Sequence, residues 1–261
     1  MTSPTEIADS LYEARRLRKP VPPLTESAPG LSAAEAYAIQ QALVGRFEED
    51  GASRVGWKLG LTSKPMQQMF GVDQPDYAPV LSSMVFDDGA VVDLDTLIQP
   101  RVEAEIALVL DRDLRGPGLT LAQVAESVSG AIAAIEIVDS RIMDWKIKLA
   151  DTIADLASSG ATVLGSAAVT LDFDPRLCGM VISKNGETMA TGAGAAALGS
   201  PVAAVAWLAN TLAPFDVTLE AGEFVMTGSL HAAFPVSQGD LVEAEFDRLG
   251  RVGVRFEGGS G

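Results

Sequence analysis

The chain has 261 residues, 48% of them hydrophobic, a net charge of −16 and one cysteine, Cys178. That charge excludes nucleic acid and anionic membrane surfaces as partners. The lone cysteine, read as a buried thiol, excludes an intrachain disulfide framework and any multi-cysteine metal site. No apolar run reaches the ~20 residues that span a bilayer. The opening "MTSPTEIADSLYEARRLRKP" has acids ahead of its basic cluster and no apolar signal core, so the expected location is the cytoplasm.

In chain order, residues 4–18 read as a helix, and "KPVPPLTESAPG" (19–30) as a proline-rich connector. Ser32 and Glu35 stand in capping-box spacing before an apolar stripe at Ala36, Ile39, Leu43 and Phe47, which predicts a second helix. From "RVGWKLGL" onward the texture changes to short apolar runs between Gly, Pro and Asp turns. Strands are expected at 54–61, 90–94, 101–111, 131–139, 161–170, 178–184, 223–228, 241–247 and 252–257. Helices are expected at 119–129 and 201–213, the latter with Pro201 in its first turn. The composition is α+β, and "EGGSG" at the C-terminus reads as unstructured.

The strand "PRVEAEIALVL" (100–110) carries the first chemical signal. Side chains alternate along a strand, so Glu103 and Glu105 share a face with Ala107 and Val109. A solvated face would continue with polar residues. Two carboxylates followed by Ala and Val instead place an apolar pocket there, where an unpaired charge is costly. Glu136, embedded in the apolar run 131–138, makes a third core carboxylate. Three hard oxygen donors with no His or Cys nearby suit Mg²⁺ or Mn²⁺; the alternative is pairing with cations such as Arg101 or Arg141.

Lys58 in "GWKLG" is an ammonium among apolar neighbours, either facing a ligand approached closely at Gly56 and Gly60, or snorkelling at a strand edge. Asp76, after a proline, reads on its own as a turn residue. Asp151 and Asp155 lie four apart, a repulsive pair on a helix face unless a cation is close. Ser158 and Ser159 precede Gly160 and could donate to an anion. His231 is the only histidine and has no partner for a catalytic triad.

Several of these segments in order resemble the 2-keto-4-pentenoate hydratase / 4-oxalocrotonate decarboxylase family of the fumarylacetoacetate hydrolase superfamily. They are "GWKLGLTS", "GVDQPDY", "QPRVEAEIALVL", "AIEIVDSRIMDWKIKLADTIADLASSG", "GAGAAALGSPVAAVAWLANTL" and "GDLVEAEFDRLGRVGVRF", within about residues 32–257. The resemblance implies a mixed β-sheet roll with a helical N-terminal region, assembled as a homo-oligomer. It divides the chain into residues 1–80, holding the helices, the first core strand and a pocket loop, and residues 81–261, the metal-binding core. It implies a divalent cation, Mg²⁺ or Mn²⁺, on Glu103, Glu105 and Glu136, chelated by the carboxylate and C2 oxygen of a 2-oxo or 2-hydroxy-dienoic acid. Lys58, Asp76 and Ser158 match its catalytic pocket positions, and Lys58, Leu59, Ser158 and Ser159 its substrate-binding ones.

The implied reaction is hydration of a 2-hydroxy-2,4-dienoate in meta-cleavage aromatic catabolism. Decarboxylation of a 4-oxalocrotonate-type acid is the alternative, and acylpyruvate hydrolysis a further one. An acid in the "QPD" position favours the hydratases, whereas "GAGAAALG" and "VMTGSLHAAFPV" lean to the decarboxylases. Three departures touch the motifs: Leu156 where an amide is common, Ala78-Pro79 where a glycine follows "PDY", and Ser200 in "LGSP".

Overall fold

The computed structural model describes residues 3–258, so the last three residues of "EGGSG" lie outside it. Its N-terminal part is α1 (Pro4–Leu17), α2 (Leu24–Ser27) and α3 (Ala33–Glu49), then β1 (Arg54–Gly60), α4 (Lys64–Phe70) and β2 (Asp76–Leu81). Next come β3 (Val85–Asp87), β4 (Ala90–Asp93), β5 (Arg101–Leu110), α5 (Leu121–Ala125), β6 (Val128–Val138), α6 (Leu149–Ala154) and β7 (Ser159–Leu164). The chain closes with β8 (Gly179–Lys184), β9 (Glu187–Ala193), α7 (Pro201–Leu212), β10 (Phe224–Met226), β11 (Phe234–Pro235), β12 (Leu241–Phe246) and β13 (Gly250–Glu257).

Both long N-terminal helices begin at reciprocal capping boxes, Ser3 with Glu6 and Ser32 with Glu35, which satisfy amide donors that the first turn leaves unpaired. Their apolar faces meet α6 in a cluster that includes Leu11, Ile39, Leu43, Ile153 and Leu156.

Two mixed sheets form the body. The larger runs β2-β1-β10-β5-β6-β7-β3, with β11 pairing beside β5; the smaller runs β4-β13-β12-β8-β9. One face of β5 and β6, with Ile106, Leu108, Ile135 and Ile137, joins Val242, Val252, Val254 and Phe256 of the smaller sheet in the main core. α7 closes that core with Ala204, Val205, Leu208 and Leu212. The mixed α+β roll with a helical N-terminal part is as the sequence implies.

Several boundaries differ. Residues 119–129 give only a short α5, because β6 starts at Val128. The strand expected over 161–170 ends at Leu164; Gly165 breaks it, and Val169 keeps only an isolated bridge to Ala131. The stretch Gly194–Phe215 is long and apolar enough to cross a bilayer, against the sequence expectation. Half of its window is buried, and α7 within it packs on α5 and β5.

Candidate active site

The carboxylates meet through strand register. Glu103 of β5 lies directly opposite Glu136 of β6, and alternation puts Arg101, Glu103 and Glu105 on one face. Carboxylate oxygens from Glu103, Glu105 and Glu136 all lie within 4.8 Å of one another. Ala107, sharing that face, continues into a small apolar cluster with Val80, Ala134 and Met226.

Of the cation pairing weighed as the alternative to a metal, the structure shows one instance, and its partner is a lysine rather than Arg101 or Arg141. Lys58, on β1, reaches Glu136 Oε1 at 2.9 Å and donates to the Ala157 carbonyl at 2.9 Å. Burial works against its ammonium, yet Glu136, Asp76 and Glu105 outweigh burial and raise its pKa. Lys58 is therefore a buried, charged lysine rather than a snorkelling one. Arg101 instead stacks on Trp145, 4.6 Å from the ring centroid.

One ammonium does not balance this cluster. Glu105 Oε2 accepts the Gly228 N–H at 2.8 Å, but Glu105 Oε1 and Glu136 Oε2 are buried with no hydrogen-bond partner among the described residues. Burial, then repulsion by Glu136, pushes Glu103 up to about 8 and lifts Glu105 well above the usual carboxylate range. Partnerless buried carboxylate oxygens with raised affinity for protons mark a place short of positive charge. The all-oxygen donor set and its spacing fit a divalent cation.

Asp76 faces the same space from β2, opposite Gly60 of β1. A Cβ on residue 60 would stand 2.1 Å from Asp76 Oδ1, so that position requires glycine for the carboxylate's sake. Gly56 likewise makes room for the Phe224 carbonyl. The close approaches read from sequence as room for a ligand therefore serve neighbouring strands. Asp76 belongs to a fully buried strand rather than a turn, and burial, partly offset by Lys58, pushes it up to about 6.

Ser158 arrives on a strained turn. After α6 the chain passes through Leu156, Ala157 and Ser158 with φ of 54°, 48° and 57°, each in the left-handed region. A buried pair holds this turn: Arg141 Nε lies 3.2 Å from Asp155 Oδ1, and the guanidinium also donates to the Asp139 and Ser159 carbonyls. Asp151 is engaged separately, accepting from the Thr25 N–H at 3.0 Å and its hydroxyl at 2.8 Å. The expected Asp151–Asp155 repulsion is thus dissolved, because α6 ends at Ala154 and each acid has its own partner.

A cavity of about 630 Å³ opens over these groups. Lys58, Asp76, Glu103 and Ser158 line it, while α4 contributes Met66, Met69 and Phe70 to the wall. Glu105 and Glu136, each at most 1% exposed, lie beneath its floor. Leu59 is on the opposite face of β1 in the main core, and Ser159 is buried beside Arg141, so neither side chain lines the cavity. Sequence reasoning missed the Ala157 carbonyl, the Arg141–Asp155 anchor and α4. A backbone acceptor leaves no trace in residue type, but "LTSKPMQQMFG" does contain Ser63 before Pro65 and a terminal Gly71, the helix-start and helix-end signals that would have found α4.

Comparison with known proteins bears on the family and the fold. Residues 63–257 match the fumarylacetoacetate (FAA) hydrolase C-terminal family. The chain is 44% identical to the 2-keto-4-pentenoate hydratase of Paraburkholderia xenovorans (strain LB400), over 97% of this chain and 94% of that one. It is 48% identical to a 2-hydroxypent-2,4-dienoate hydratase of Pseudomonas putida, over 81% of this chain and 96% of that one. Among solved structures, 4-oxalocrotonate decarboxylase from Pseudomonas putida G7, complexed with magnesium and adipate, superposes with a TM-score of 0.94. That similarity is at 37% identity and covers 97% of both chains. The fold and the site thus define an enzyme of the fumarylacetoacetate hydrolase superfamily with a centre suited to a divalent metal. Within that superfamily, the chain belongs to the 2-keto-4-pentenoate hydratase / 4-oxalocrotonate decarboxylase family.

Proposed function

We propose that the protein is a divalent-metal-dependent hydro-lyase that adds water to a 2-hydroxy-2,4-dienoate, giving a 4-hydroxy-2-oxo acid in meta-cleavage aromatic catabolism. The observation that carries this reading is the trio Glu103–Glu105–Glu136, in and just beneath the wall of a cavity that Lys58 and a buried Asp76 also line. Hydratase names among relatives at 44–48% identity support the substrate type.

The three glutamates would hold Mg²⁺ or Mn²⁺, which supplies Lewis-acid stabilisation of negative charge at the substrate's C2 oxygen. Ketonisation moves the enol proton to C5 and leaves an enone whose C4 is electrophilic. Water then adds its oxygen to C4 and a proton to C3. With its pKa near 6, Asp76 is ionised at neutral pH and accepts the proton of the attacking water. Lys58, fixed between Glu136 and the Ala157 carbonyl, presents its remaining N–H to the substrate and relays protons there. Ser158 offers a hydroxyl to the substrate carboxylate.

Decarboxylation of a 4-oxalocrotonate-type acid is the second reading, favoured by the structural likeness to that decarboxylase. Product analysis separates the two. The enzyme is mixed with 2-hydroxypenta-2,4-dienoate and with 4-oxalocrotonate, each with metal and with chelator. Hydroxy-acid from the first supports hydration, CO₂ from the second supports decarboxylation, and neither product defeats both. The proposed setting is a cytoplasmic homo-oligomer, which light scattering of the purified protein tests.

A further inference from the structure

The sole histidine has an unusual occupation. On the β10 side of β5, Arg101 and Val102 pair with β11, and Ala107 to Val109 pair with β10. Between them no strand among the described residues covers the edge, and the loop after β10 supplies individual partners instead. Thr227 donates to the Ile106 carbonyl through its hydroxyl at 2.8 Å, and the Leu230 N–H donates to the Ala104 carbonyl at 3.0 Å. The Ala104 N–H, where a neighbouring strand would offer a carbonyl, donates to His231 Nε2 at 2.9 Å. His231 Nδ1 lies 2.8 Å from the Ala232 carbonyl, which assigns the proton to Nδ1 and leaves Nε2 as the acceptor. The ring is stacked against Phe234, with centroids 5.7 Å apart.

Ala104 is the residue between Glu103 and Glu105. We infer that His231 is a positioning residue for the metal centre: its imidazole stands in for a missing strand carbonyl and fixes the Ala104 peptide, and with it the directions of the two flanking carboxylates. The Glu103 and Glu105 side chains leave the backbone on either side of that peptide and converge to within 4.8 Å of Glu136. On the other side of β5, the direct pairing of Glu103 with Glu136 fixes the register. On the β10 side, the Gly228 N–H to Glu105 bond and the His231 bond come from one loop, so a single segment orients both glutamates. With Nε2 occupied by the Ala104 N–H, His231 is not a fourth ligand. Outer partners of this kind tune metal affinity without touching the ion.

The inference rests on the reading that the three glutamates hold a divalent cation, and the test separates the two. Mn²⁺ binding to chelator-treated full-length protein is measured by titration calorimetry for the wild type, Glu136→Gln, His231→Phe and His231→Gln. Phe keeps the ring and its stack on Phe234 but has no acceptor. Gln places an acceptor oxygen near the position of Nε2. The expected result is a Kd raised about 10- to 100-fold in His231→Phe, with His231→Gln restored to within about threefold of the wild type. A merely structural role predicts no such rescue by an acceptor. If His231→Phe does not fold, His231→Leu takes its place in the comparison. Wild-type affinity in the folded acceptor-less variant overturns the inference, as does a His231→Gln as weak as it. A wild type that fails to bind Mn²⁺, or a Glu136→Gln that binds as tightly, overturns the underlying metal reading instead.

Discussion

At the scale of single residues, the site turns on how burial separates the acids. Asp76 is held to about 6 because burial is offset by Lys58, whereas Glu103 reaches about 8 with like charges beside it. An acid with a pKa near 6 works as a base above that pH. Activity is therefore expected to rise through about pH 6, and the rise should be absent in Asp76→Asn. That variant should lose on the order of 10²- to 10⁴-fold in kcat, the span of general acid–base contributions, while calorimetry finds its Mn²⁺ affinity unchanged. Equal activity in Asp76→Asn removes the assigned role. Two of the departures noted in the sequence, Leu156 and Pro79, also have a structural account here. Leu156 adopts a left-handed conformation that costs about 1–2 kcal/mol. Its side chain is fully buried against the helical cluster, and that burial contributes about 1.5–3 kcal/mol, enough to offset the backbone. Pro79 is accommodated because β2 is the outermost strand of its sheet, where a missing N–H is tolerated. Ser200 is the residue before α7 and makes no side-chain cap bond.

At the scale of elements, the turn between α6 and β7 delivers both Ser158 and the Ala157 carbonyl that fixes Lys58. Its anchor, Arg141 with Asp155, is at most 1% exposed on both sides. Removing one partner of such a pair leaves an uncompensated buried charge, so Arg141→Leu should cost about 3–5 kcal/mol, read from denaturant unfolding. Arg141→Leu with Asp155→Leu should recover part of that loss. A single variant as stable as the wild type contradicts the anchor. Which elements were legible follows from pattern length. β5 and β6 were visible because long alternating and apolar runs carry their own signal, and Glu103, Glu105 and Glu136 stood out against it. β2 was not, since "DYAPVL" follows a turn-rich stretch and contains a proline, and its strand character comes from pairing with β1. α5 was overextended because "AESVSG" continues an apolar rhythm into what tertiary pairing makes the start of β6.

At the scale of the whole molecule, a cluster of acids short of positive charge links stability to pH and metal. In the unfolded chain Glu103 and Glu105 titrate near 4.5; in the fold Glu103 titrates near 8 and Glu105 well above its ordinary value. Between pH 4.5 and 8 the folded state therefore binds more protons than the unfolded, and stability falls as pH rises. The melting temperature of chelator-treated protein should drop across about pH 5 to 8. Saturating Mg²⁺ should lift the curve most at the upper end, by about 2.7 kcal/mol at a hundredfold excess over Kd. Parallel curves with and without metal contradict a cation on these acids. The sequence carried the carboxylate trio and the mixed roll, but not how the parts meet. Lys58 pairing with Glu136, rather than Arg101 or Arg141, depends on β1 joining the sheet beside β10, a contact between residues far apart in the chain.

The most direct measurement of the central claim is NMR of the product formed from 2-hydroxypenta-2,4-dienoate with Mg²⁺, repeated with chelator. The account predicts 4-hydroxy-2-oxopentanoate in the first sample and none above the uncatalysed background in the second. Formation at the same rate in chelator, or no hydroxy acid while 4-oxalocrotonate releases CO₂, would contradict it.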